Sequence, residues 1–270
     1  MARSRPFMKK KVLITGGSSG IGLAAARTLS EEGAEVILAA RDPKKLKKAA
    51  ESLKGKVSTY IVDVSDTESV RKLSGDVGRD HGRVDILVNS AGIVEPLILG
   101  ELPVESISKI LDTDLKGTMI TVKEILPLMG AGGYVVNISS MAGIIGLYGY
   151  TAYSAAKFGV LGFSEALRME LKPAGIGVCV VFPPDTATPQ LEYENRTKPE
   201  ELRSISSKIR PIPPEKVASA IIDGIRKERF MIFPDMRSRM TYIAYRLGGP
   251  LLRAWMDGRI GRASAGSDVE

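Results

Sequence analysis

The chain has 270 residues, 44% of them hydrophobic and 26% charged, with a formal net charge of +7. That is enough for one sizeable core, and no run of eighteen or more apolar residues marks a bilayer span. The basic opening, MARSRPFMKKK, carries no apolar stretch and is not expected to be a secretory signal. A single cysteine, Cys179, excludes an internal disulfide and fits a reducing, cytoplasmic setting. The charge sits at the ends. Residues 1–11 hold five basic groups and no acid, residues 236–262 hold six arginines against Asp257, and residues 12–235 nearly cancel at 27 basic and 28 acidic. Such ends suit an anionic membrane surface or nucleic acid, but the centre has no basic stripe interleaved with aromatics, so no nucleic acid is expected.

In chain order, Lys11–Ile14 reads as a first strand, and TGGSSGIG at 15–22 opens a helix running to about Glu32. Gly16, Gly20 and Gly22 allow a tight turn and let backbone N–H groups approach a pyrophosphate at the helix N-terminus. A second strand, Glu35–Ala40, ends at Arg41, with Lys45 one helical turn on. An acid there would hold a ribose 2′-hydroxyl; cations suit a 2′-phosphate, so the expected cofactor is NADP rather than NAD. Lys47 and Lys48 read as a solvated helix face.

The alternation continues. Val57–Asp63 is a third strand with Asp63 at its C-terminal end, where ligands lie in open α/β sheets. A helix of mixed charge follows to about Arg79, and His81 reads as a polar-turn residue that nothing partners. Asp85–Gly92 is a fourth strand with a small-residue end suited to a close-packed ring. Two helices are expected over about 103–130, then a strand from Tyr134 to Ile138 ending in Ser139-Ser140. After a Gly-rich turn comes a helix from Thr151, then a sixth strand, Gly177–Phe182, broken by the Pro-rich turn at 183–189. Helix patterns at about 198–208 and 214–228 precede a short strand at 231–233. Strands alternating with helices predict an α/β protein with a doubly wound parallel sheet.

Tyr153 and Lys157, four apart, stack on one helix face. A free phenol holds its proton too tightly to work near neutrality, and a lysine cation beside it is expected to lower its pKa. A serine from the preceding strand end can hydrogen-bond an oxygen that changes charge.

Together these stretches resemble the short-chain dehydrogenase/reductase superfamily over roughly residues 10–235: TGGSSGIG at 15–22, Asp63-Val64, VNSAG at 88–92, NISS at 137–140, YSAAK at 153–157 and the turn at 183–189. The resemblance implies a single Rossmann-type domain in which Ser140 positions a substrate carbonyl. Tyr153 passes a proton to its oxygen, and Lys157 lowers the tyrosine pKa and holds the nicotinamide ribose. It implies that NADPH/NADP+ is held by Gly16, Ser18, Ser19, Gly20, Ile21, Gly22, Arg41, Lys45, Asp63, Val64, Asn89, Ala91, Gly92, Tyr153, Lys157, Pro183, Thr186 and Thr188, with no metal. Asp114 stands where the family usually has an Asn that orders a water relay behind the lysine, and Ser90 where a second Asn is common. By analogy, the helix from Thr151 to Leu171 packs on its copy in a homodimer or homotetramer.

Residues 183–189 and 194–200, with GLYGYTAYSAAKF at 146–158, are similar to 3-ketodihydrosphingosine reductases. That implies NADPH-dependent reduction of a long-chain 3-keto amine. A reductase of another ketone (steroid, sugar or 3-oxoacyl thioester) and a non-catalytic NADP-binding scaffold are the alternatives. The chain divides into a basic segment (1–9), the catalytic domain (10–235), a basic amphipathic extension (236–262) and a small acidic tail (263–270) expected to be disordered. Gly248-Gly249-Pro250 splits the extension into two short helix candidates. Arg with Trp255 and leucines suits peripheral contact with the cytosolic face of a membrane, packing on a second subunit, or closing of the substrate cleft.

Overall fold

Alternate residues of the first strand, β1 (Lys11–Thr15), feed two different cores: Val12 and Ile14 face one side of the sheet, Leu13 the other. The same division holds in β2 (Glu35–Ala40), where Val36 and Leu38 oppose Ile37 and Ala39. A sheet buried on both faces needs helices on both, and the chain supplies them. The computed structural model describes residues 7–198 and 210–267. Its strands continue as β3 (Val57–Ile61), β4 (Ile86–Asn89), β5 (Tyr134–Ile138), β6 (Gly177–Val181) and β7 (Met231–Ile232). All seven are parallel, in the order β3-β2-β1-β4-β5-β6-β7.

Helices α1 (Gly20–Glu31), α2 (Pro43–Glu51) and α8 (Pro214–Arg226) cover the first face through Ala25, Leu29, Leu46, Val217 and Ile221. On the second face lie α3 (Thr67–His81), α5 (Gly117–Ile125) and α6 (Thr151–Leu171), which contribute Val70, Leu73, Val122, Ile125, Leu167 and Leu171. The strand order reverses between β1 and β4. That crevice, at the strands' C-terminal ends, is where an open α/β sheet can admit a ligand.

Several expectations need correction. His81 is not a partnerless turn residue: it ends α3, is buried, and its Nδ1 and Nε2 lie 2.9 Å from Glu35 Oε1 and 3.1 Å from the Tyr60 hydroxyl. The two helices expected over 103–130 form one continuous run, α4 (Val104–Ile110), a wider π-helical stretch Leu111–Lys116, then α5. A helix not foreseen, α7 (Pro189–Thr197), follows the Pro-rich turn, while most of the helix expected at 198–208 lies outside the described residues. The last helix, α9 (Met236–Ser267), departs from helical geometry at Gly248, and so interrupts where the Gly-Gly-Pro sequence indicated. It continues through 263–267, where a disordered tail was expected; 268–270 lie outside the described residues.

Candidate active site

The turn after β1 builds the first wall. Gly16 has φ +67°, and a Cβ there would stand 2.7 Å from Ala91 N and Ser90 O, so only glycine lets the β1 and β4 turns touch. A Cβ on Gly22 would meet Gly16 O at 2.5 Å, so this glycine seats α1 on the turn. No side chain caps the N-terminus of α1, which leaves its first N–H groups open to an anion.

A cavity of about 460 Å³ runs from this turn across the ends of β4, β5 and β6. Of the residues singled out from the sequence, Gly16, Ser18, Ser19, Gly20, Ile21, Arg41, Lys45, Val64, Ala91, Gly92, Ser140, Tyr153, Lys157, Pro183, Thr186 and Thr188 line it. Gly22, Asp63, Asn89 and Asp114 are not on its wall. Asn89 instead joins the sheet core, where its Nδ2 donates to Asn137 Oδ1 at 2.9 Å and Asn137 Nδ2 donates to Ser164 Oγ at 3.0 Å. Asp63 accepts from the Ser65 N–H and hydroxyl at 3.0 and 2.6 Å. Burial works to raise its pKa, but those bonds and the Arg41 charge hold it below the ordinary carboxylate value.

At one end of the cavity, Arg41 and Lys45 present two exposed cations. Asp42 lies between them in the chain, an acid the sequence reading passed over. Its Oδ1 accepts from Lys44 N and Lys45 N at 2.9 and 3.1 Å, so it caps α2. An open helix N-terminus for a pyrophosphate and a cation pair beyond it fit a nicotinamide dinucleotide.

Ser140, Tyr153 and Lys157 gather away from that cation pair. Ser140 follows β5, and its Oγ accepts from Ala142 N at 3.1 Å. Helix α6 delivers Tyr153 and Lys157, and Lys157 Nζ lies 5.3 Å from the tyrosine ring centroid. The ammonium donates to Ile138 O at 3.2 Å and pairs with Asp114 Oδ2 at 2.9 Å. Asp114 Oδ1 also accepts the Ile93 N–H at 2.8 Å. Asp114 sits in the π-helical stretch, whose widened turn is a frequent device at functional sites.

Lys157 lowers the phenol as expected, but burial and the other neighbours make the net shift upward. Burial is the largest influence, and although Lys157 and Ser140 pull the phenol down, Asp114 and Glu194 push it up, so Tyr153 is pushed up to about 12. Burial likewise raises the Asp114 carboxyl against the pull of Lys157. For Lys157, burial works downward, but Asp114 and Tyr153 outweigh it and the ammonium is held above its ordinary value. The phenol is therefore a held acid, able to give up a proton rather than take one at neutral pH.

The sequence reading assigned no role to Leu147, Tyr148, Tyr150, Asp185, Leu191 or Glu194, which also line the cavity. The signal was present in the 146–158 and 183–200 stretches, but which side chains turn inward depends on how α7 folds back.

The family model described as short chain dehydrogenase matches residues 10–199. A 3-ketodihydrosphingosine reductase of Dictyostelium discoideum is 34% identical, over 87% of this chain and 77% of its own length. One from Mus musculus is 39% identical, over 78% of this chain and 67% of its own. Among solved structures, a short chain dehydrogenase/reductase from Burkholderia phymatum, determined in complex with NAD, has a TM-score of 0.81 at 23% identity and covers 91% of this chain and 96% of its own. That likeness speaks to the fold alone. The chain belongs to the short-chain dehydrogenase family and is an NAD(P)-dependent oxidoreductase acting on a ketone or alcohol.

Proposed function

We propose that the protein reduces 3-ketodihydrosphingosine to dihydrosphingosine with NADPH. The observation that carries this reading is the convergence of Ser140, Tyr153 and Lys157 in one cavity with the Arg41 and Lys45 cations. Met141, Leu147, Leu191 and Pro184 also line the cavity and suit a long alkyl chain. The relatives named above support the choice of ketone. Arg41 and Lys45 support NADPH over NADH, because a 2′-phosphate accepts charge-assisted bonds that a bare ribose does not.

Bound NADPH supplies the hydride. The protein's own part is alignment and proton transfer. Ser140 Oγ donates to the ketone oxygen and fixes it beside the phenol. Tyr153 Oη gives its proton to that oxygen as negative charge develops there. Lys157, fixed by Ile138 O and Asp114, stabilises the phenolate left behind.

Two associations belong to the same reading. Along α9, Met240, Ile243, Leu247 and Leu251 are exposed, with Arg246 and Arg253 among them. Such a helix suits an anionic lipid surface, where a long-chain substrate resides. No helix among the described residues is long and apolar enough to cross a membrane. On α6, Phe158 and Met169 are exposed and suit packing against a second copy of this chain.

The test is oxidation of NADPH by the purified protein with 3-ketodihydrosphingosine in detergent, beside NADH and a small soluble ketone. Turnover of the lipid with NADPH is the expected result. Turnover of the soluble ketone alone overturns the substrate assignment, and equal use of NADH overturns the cofactor assignment.

A further inference from the structure

Two carboxylates in the cavity take no part in the proton transfer. Glu194 stands on α7, its side chain 13% exposed, and its Oε2 accepts the Tyr150 hydroxyl at 2.8 Å. The Tyr150 ring centroid is 6.0 Å from that of Tyr153, so one aromatic ring separates this carboxylate from the reacting phenol. Glu194 is otherwise met by Lys198 Nζ at 4.0 Å and by Gln190 Nε2 at 3.5 Å. Lys198 also donates to Asn195 Oδ1 at 3.2 Å. Asp185, on the Pro-rich turn, brings a second carboxylate close enough to raise the Glu194 pKa, to which burial contributes most. Among the described residues, no hydrogen bond or ion pair engages the Asp185 side chain.

Among the described residues, this part of the wall therefore sets two carboxylates against one ammonium, with the Glu194 side chain only 13% exposed. The other lining cations lie elsewhere: Arg41 and Lys45 at the far end, and Lys157 on Asp114. A partly buried carboxylate in excess is costly, and a ligand cation relieves that cost. An ammonium can donate to both carboxylates at once. With the ketone oxygen at Ser140 and Tyr153, the substituents beside the carbonyl are the groups within reach of the Tyr150–Glu194 side.

We infer that Glu194, with Asp185, receives an ammonium group on the carbon beside the substrate's ketone, so the protein selects α-amino ketones over their neutral analogues. The inference rests on reading the cavity as a ketone-reducing site, and it names the group by which that site recognises its substrate.

The experiment measures kcat/KM for a long-chain 2-amino-3-ketone and for the same ketone lacking the amine, and takes their ratio. In Glu194→Gln, which keeps an acceptor for Tyr150, the ratio falls at least about tenfold, the loss expected for one charge-assisted contact. A smaller fall overturns the inference, because a merely structural role lowers both rates together. Asp185→Asn reads the same ratio should Glu194→Gln not fold. On the unaltered protein, decylamine inhibits turnover of whichever ketone is reduced more strongly than decanol does; equal inhibition also overturns it. If no 2-amino-3-ketone is turned over, the substrate assignment has failed, and the amine–alcohol comparison still judges the carboxylates.

Discussion

Lys157 Nζ stands 2.9 Å from Asp114 Oδ2, a cation and a carboxylate whose side chains are 6% and 0% exposed, and 5.3 Å from the Tyr153 ring centroid. The carboxylate holds the lysine charged and adds a negative charge that Tyr153 feels. In the proposed reduction the phenol must carry its proton, so activity is lost as pH rises through the tyrosine pKa. Asp114→Asn keeps an acceptor for the Ile93 N–H, removes the negative charge and lowers that pKa. The alkaline limb of kcat/KM against pH moves down by roughly one unit. An unmoved limb means Asp114 does not act on the tyrosine. Asp114→Ala, which strands a buried ammonium, destabilises by about 3–5 kcal/mol in urea unfolding.

Tyr153→Phe removes the proton donor and leaves the ring that packs on Tyr150. Ketone reduction falls about 10²–10⁴-fold, the usual worth of a positioned acid. Quenching of protein fluorescence by NADPH measures cofactor binding separately from turnover. Activity within a few-fold of the unaltered protein would remove the phenol from the mechanism.

Arg41→Ala separates the two nicotinamide cofactors. The KM for NADPH rises at least about tenfold, while that for NADH moves far less, because only NADPH loses a charge-assisted phosphate contact. Equal changes would assign Arg41 to the surface and leave Lys45 as the cation to test.

Away from the cavity, Glu35 gives a pH-dependent contribution to stability. Burial pushes its carboxyl up, but Lys56 and His81 outweigh burial and hold it below its ordinary value. A carboxyl lowered by folding stabilises above its unfolded pKa and loses that effect as pH falls through its folded one. Glu35→Gln therefore costs about 1 kcal/mol near neutral pH, and the difference shrinks below about pH 4. Urea midpoints at the two pH values measure it; a constant difference would show that the charge is not involved.

Period-two burial and strand–helix alternation made the doubly wound sheet legible in the chain, because each strand is a short apolar run closed by turn residues. The glycine turn and the Tyr153–Lys157 spacing were legible for a similar reason: both are set within eight residues. His81 was not, since its partners Glu35 and Tyr60 come from two other strands. Asp42 was passed over because a cap is decided by where its oxygen points, towards Lys44 N and Lys45 N.

The sequence by itself determined the sheet, the glycine turn after β1 and the spacing of Tyr153 and Lys157, since local spacing and periodicity dictate each of them. Only the tertiary structure decided the electrostatics. Burial and the Asp114 charge turn the tyrosine shift upward, and α7 brings Glu194 across a gap of more than forty residues to meet Tyr150. Desolvation and through-space charge depend on distances between elements, and these exist only once the elements are packed.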